Sequence, residues 1–299
     1  MLAAFATTIL FSISAICGNR AAKQLGGTEA NFWRLCFAAL LLAAYAHTLG
    51  GGVGGRSFSV FFVSGCIGFG IGDMALFQAL PRLGSRLSVM LTLCLSSPMA
   101  ALIEWLWLGT GLSTAEVVCG LLILAGVALA LAPGEHLHIE RRALLAGVGF
   151  GLLAAFCQAV GAVMSRKANL LAAGAGQSID GITAAYQRIL GGVLVGAVLL
   201  VLVRGAADAR PVAGRWRRAW PWVLANGLAG PALGVSFYQW ALKTHASGVV
   251  LPIVALTPLV IIPFSYHLEG ERPSRRSLLG GALAVGGAVA LGWVAGHPR

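Results

Sequence analysis

Charge is scarce in this chain: 10% of its 299 residues are Asp, Glu, Lys or Arg, against about 25% in a soluble domain. So few charges cannot coat a water-facing surface. With 58% hydrophobic residues and a mean hydropathy of +0.84, lipid is the expected solvent for most of the protein. Acids are scarcer than bases, 10 against 21. In a soluble protein the resulting +11 would suggest nucleic acid. Here the basic residues sit in short breaks between apolar runs, where membrane flanks account for them, so nucleic acid is not an expected partner.

Several motifs are missing too. Six cysteines each stand alone in an apolar run, with no CxxC, which argues against a disulfide framework or a zinc site. His136 and His138 lack further ligand-type neighbours and read as solvated loop histidines. No metal and no cofactor is expected. The chain has no Walker motif and no HExxH, GxSxG or clustered His/Asp. It therefore reads as neither ATP-driven nor an enzyme, with a membrane-embedded enzyme or a passive channel as the alternatives to a carrier. The apolar N-terminal run has no basic flank and no A-x-A site, and reads as a membrane helix rather than a signal peptide.

What the chain does have is ten apolar runs, each long enough to cross a hydrocarbon core that takes about 20 residues. They cover about 2–18, 30–48, 57–80, 87–108, 115–131, 143–165, 181–203, 220–242, 248–268 and 278–295. The expected fold is an all-α polytopic membrane protein of ten transmembrane helices. Fourteen of the 21 Lys and Arg fall in loops after odd-numbered spans. Five lie on the other side or at the C-terminus, and the remaining two are Arg34 and Arg188. The positive-inside rule then places both termini outside.

The two halves resemble each other. LGTGLSTAEVVCGLLILAGVALA from Leu108 aligns with EGERPSRRSLLGGALAVGGAVAL from Glu269. Gly68 and Gly72 match Gly230 and Gly234, FQAL at Phe77 matches YQWAL at Tyr238, and Phe32-Trp33-Arg34 matches Tyr186-Gln187-Arg188. Residues 1–132 form the first repeat, 133–142 a connecting loop and 143–295 the second. Five crossings per repeat is an odd number, so the second repeat lies upside down relative to the first, the layout of alternating access.

GDMALFQALPRLGSRLS from Gly72, the SSP at Ser96, LGTGLS and EGERPS at Glu269 resemble the EamA family of the drug/metabolite transporter superfamily. Thr110-Gly111 stands where that family often has Glu-Arg. The resemblance implies a ten-helix, two-repeat carrier, commonly an exporter of small metabolites or amino acids. The expected location is the cell membrane, a bacterial inner membrane, as a multi-pass protein. Monomer and homodimer both stay open.

An ionisable group in mid-membrane should be paired, line a cavity or titrate. Asp73 is the one such acid well inside a span, sharing a helix face with Phe69 and Phe77. It reads as a cavity acid for a cation or a proton, or as a structural acid. Arg34 and Arg188 could snorkel to headgroups, hold an anionic substrate or pair with acids. Glu104, beside Trp105 and Trp107, is expected at the interface. The polar stripes containing Asn19 and Gln158, and the cluster Tyr238, Gln239 and Trp240, are candidate contacts for an amphipathic solute or glue between helices. Pro98, Pro252 and Pro258 are candidate hinges, each removing a backbone donor.

Overall fold

The computed structural model describes residues 1–131, 140–206, 214–262 and 275–296. These residues are helix and short connections, without a strand among them. Helix α1 spans Leu2–Leu25 and α2 spans Gly27–Thr48. Only Gly26 separates them, at φ 86°, so most of the gap left between the apolar runs 2–18 and 30–48 is helical as well. Helix α3 (Phe58–Gly65) continues through a π-helical segment, Cys66–Gly72, into α4 (Asp73–Leu108).

That unit runs from Phe58 to Leu108, 51 residues. At 1.5 Å per residue it is roughly 75 Å long, more than twice the ~30 Å of a hydrocarbon core. Gly84, at φ 79° and ψ 167°, breaks it into two arms, inside the 81–85 stretch where the sequence places a short turn.

Helix α5 (Thr114–Leu131) opens with a capping box. The Ser113 backbone N–H and Oγ both donate to Glu116 at 2.8 Å, and the Glu116 N–H returns a bond to Ser113 Oγ. Helix α6 spans Arg141–Gly174. Helix α7 (Gly181–Ala206) is started by Asp180, which accepts from the N–H groups of Ile182 and Thr183 at 2.9 Å. Helix α8 (Arg215–Gly227) passes through a second π segment, Leu228–Gly234, into α9 (Val235–Thr244). Helix α10 is Ser247–Val254 and α11 is Arg275–Gly296. His136, His138, residues 263–268 of the expected ninth span and the Glu269 motif lie outside the described residues.

Among the described residues five helical stretches are long and apolar enough to cross a membrane, and the protein is a multi-pass membrane protein. Leucine, valine and tryptophan side chains such as Leu40, Leu121, Val201 and Trp293 face outward, where lipid tails replace water as solvent. Two glycine contacts fix the packing. A methyl group on Gly65 would collide with the Arg188 carbonyl, and one on Gly227 would lie 2.9 Å from the Arg34 carbonyl. The arm ending in each π segment is thus pressed backbone-to-backbone against the second helix of the other half. At the rim, Gly126 of α5 and Gly280 of α11 allow a similarly close crossing.

Candidate functional site

The interior of this bundle contains a cavity of about 790 Å³, the open space at its mouth included. Its wall draws on α1, α2, α4, α6, α7, α8, α9 and both π segments, and so on both halves of the chain.

One face of the Cys66–Gly72 segment and α4 organises it. Phe69, Asp73 and Phe77 follow one another at four-residue steps and all reach the wall. Arg34 stands over the Phe77 ring at 4.5 Å and ion-pairs with Asp73. Its remaining nitrogens are also engaged: Nε donates to Asn31 Oδ1 at 3.0 Å and Nη1 to Asn226 Oδ1 at 3.2 Å. Asn226 is itself fixed by donating to the Ser14 carbonyl at 2.7 Å. Arg34 therefore ties α2, α4 and α8 together beneath the cavity.

Arg188 occupies the corresponding place on α7. It is 2% exposed, stands over the Phe69 ring at 5.0 Å and lies on the cavity wall. A methyl group added at Gly68 would lie 2.9 Å from its Nη2, and one at Gly230 would lie 3.3 Å from Arg34 Nη1. Each arginine thus sits against the matching glycine of the opposite half's π segment. Neither snorkels. Among the described residues no carboxylate pairs with Arg188, and its Nε has no hydrogen-bond partner. Tyr238, 1% exposed on the same wall, has its hydroxyl near Gln158 but without a hydrogen bond of ordinary geometry. Gln158 completes this polar corner.

The model of the EamA-like transporter family matches residues 1–132 and again residues 145–293. The chain belongs to that family. A solved crystal structure aligns with 97% of this EamA-like chain and 97% of its own length, at 20% identity and a TM-score of 0.66. At that identity the likeness shows the fold alone. No curated protein matches the chain.

Of the residues singled out in the sequence of this EamA-like transporter, Asp73, Phe77, Gln158, Tyr238, Arg34 and Arg188 meet at the cavity. Others lie elsewhere. Trp240 is 58% exposed on the outer surface, stacked on Phe237. Gln239 is buried towards α6, 3.5 Å from Ser165 Oγ. Asn19 is on α1 away from the cavity wall.

Glu104 is not at the interface but fully buried. It accepts from the Ser247 N–H at 2.6 Å and from the Ser247 hydroxyl, and faces Arg166 Nε at 3.7 Å. It caps the start of α10 rather than lining the cavity. Pro98 is exposed within the arm of α4 that follows Gly84, which stays helical around it. Between Pro252 and Pro258 the chain leaves the helix at 255–256. The Val254 carbonyl, which Pro258 cannot serve, accepts from the Thr257 hydroxyl at 2.6 Å. Thr8 and Ser12 of α1 donate to the Ile253 and Thr257 carbonyls at 3.1 and 3.0 Å, so that polar stripe braces the break.

Asn226, Ser14 and Thr92 are wall residues that sequence reasoning passed over. Asn226 sits in LANG, which reads like a helix end. Its one signal was an amide-bearing residue inside an apolar run.

Proposed function

We propose that this protein is a secondary carrier that exports a small organic metabolite across a bacterial inner membrane by alternating access. Ten crossings form two five-helix repeats, residues 1–132 and 143–295, joined by the 133–142 loop. An odd number of crossings in each turns one repeat upside down relative to the other.

One observation carries this reading. The cavity is shared between the halves, and each half presses its π segment against the arginine-bearing helix of the other. Halves that interlock around a common pocket can rock about it, opening it to one side at a time. The wall is mostly apolar with a few converging polar groups, as a small organic solute requires. The pocket is lined by residues of one chain, which supports a monomer or a homodimer with a pocket in each subunit.

The energy source is a proton gradient acting at Asp73, the acid in the wall. Protonation there releases Arg34 from its ion pair, which gives the carrier two electrostatic states to alternate between.

The test is counterflow into proteoliposomes preloaded with amino acids, organic acids or amphipathic amines. Saturable counterflow of one class is expected, with its proton dependence lost in Asp73→Asn. Non-saturable leakage of every solute would make the protein a pore and end this reading.

A further inference from the structure

The two halves match in backbone but not in charge. Gly72 and Gly234 close the two π segments, and the next residue opens a helix on the cavity wall. In the first half that residue is Asp73 and in the second it is Val235. Arg34 consequently has an acid, two amides and an aromatic face. Arg188 has an aromatic face and Tyr238 nearby, and Asp73 reaches it only through space while bonded to Arg34. While Asp73 is ionised, it and Arg34 cancel, and the cavity keeps the single positive charge of Arg188.

A buried guanidinium without a counter-ion is among the least favourable groups to hold in a membrane interior. Its position on a wall shared by both halves, beside the Tyr238 hydroxyl, suits a counter-ion that comes and goes. We propose that Arg188 binds the anionic group of the transported solute, and that the solute is a monovalent organic anion, a carboxylate with an apolar body. This rests on the carrier reading above.

Arg188 takes the carboxylate and Tyr238 donates a further hydrogen bond to it. Phe11, Leu76, Val89 and Leu93 receive the apolar body. An amine has no partner in this cavity, because the acid on its wall is already bonded to Arg34. A zwitterion would leave its ammonium unpaired, and a dianion its second charge.

The test separates binding from transport. Binding to the purified protein in nanodiscs is measured for straight-chain monocarboxylates from butanoate to decanoate and for phenylacetate. The corresponding amides and amines, leucine and succinate are measured alongside. At least one monocarboxylate should bind at least about tenfold more tightly than its amide, its amine, leucine and succinate. Arg188→Gln should erase that preference while raising the ligand-free unfolding temperature, since the unpaired charge is gone. Val235→Asp should also erase it, by supplying the internal carboxylate that the second half lacks.

Equal binding of acid and amide, preference for an amine, leucine or succinate, or unchanged acid binding in Arg188→Gln would overturn the proposal. Counterflow confined to neutral or cationic solutes would overturn it and leave the carrier reading intact. Arg188-dependent acid binding without counterflow would uphold the anion site and defeat the carrier reading instead.

Discussion

Placing a charged side chain at the centre of a bilayer costs about 2.5–3.5 kcal/mol on insertion scales, so each one must be explained by what surrounds it. Arg34 offsets that cost through Asp73, Asn31 and Asn226. Removing one member of such a pair strands the other, typically at a cost of about 3–5 kcal/mol. Asp73→Asn should destabilise the protein by that order, read as a lower unfolding temperature in detergent micelles. The double variant Arg34→Met/Asp73→Leu should recover most of the loss, because neither charge is then left alone. A double variant as unstable as the sum of the singles would mean that the pair is not a unit. This pair was legible in the sequence in parts: a charge inside an apolar run is conspicuous, but its partner is not. The misplacement of Trp240 has a geometric cause. Residues advance about 100° each around a helix, so Tyr238 in the cavity puts Trp240 about 200° away, facing outward. Adjacency in sequence suggested a cluster, and the helix separates it.

At the scale of elements, apolar run length located most helices and the breaks between them, because lipid leaves the backbone few alternatives to helix. It did not reveal the π segments at Cys66–Gly72 and Leu228–Gly234. Extra residues in a helical turn change hydrogen-bond register without changing composition, although such segments recur at functional sites. Two glycines in the same continuous unit are required for different reasons. Gly84 has open space around it but a backbone conformation nearly restricted to glycine. Gly84→Ala should therefore cost about 1–3 kcal/mol of local strain and straighten or shift the bend. Gly65 leads helically into its π segment, but the Arg188 carbonyl occupies the space where a side chain would go. Gly65→Ala should cost at least about 1–3 kcal/mol through overpacking and should also displace Arg188. Unfolding temperatures of the two variants, with solute binding measured on each, separate the cases. Gly65→Ala should lose binding with its stability, whereas Gly84→Ala should keep more of its binding for the same loss. Equal loss of binding in both would show that the bend, rather than the close crossing, sets the site.

Across the whole molecule, the contacts at one end of the bundle say what must break if the halves rock. There the 49–57 connection and the start of α7 are stitched together. Gln187 Nε2 donates to the Gly52 and Gly54 carbonyls at 3.0 and 3.1 Å, the Gly51 N–H donates to Thr183 Oγ1 at 3.2 Å, and His47 bonds Tyr186 at 2.9 Å. Lys243 adds bonds to Ser178 Oγ and the Ile179 carbonyl at 2.8 and 2.9 Å. The Gln187, Thr183 and His47–Tyr186 contacts join the two halves, whereas those of Lys243 lie within the second, so an opening at this end must give up the first set together. Gln187 is fully buried, and Gln187→Leu keeps its approximate volume while leaving two carbonyls without their donor, at a cost of about 1–3 kcal/mol to the closed state. A shift of that size raises an open population roughly five- to 150-fold from a low starting level. Ser14→Cys on the cavity wall, in a background with the six native cysteines replaced, reports the change through its rate of alkylation by an impermeant maleimide. Adding Gln187→Leu should speed labelling from the side bearing the 49–57 connection and slow it from the opposite side. Faster labelling from both sides would indicate a loosened bundle, and no change from either would show that this end is not a gate. Only reciprocal change is what two rigid halves turning about a common pocket require, since the same rotation that parts Gln187 from Gly52 and Gly54 brings the far ends of the helices together.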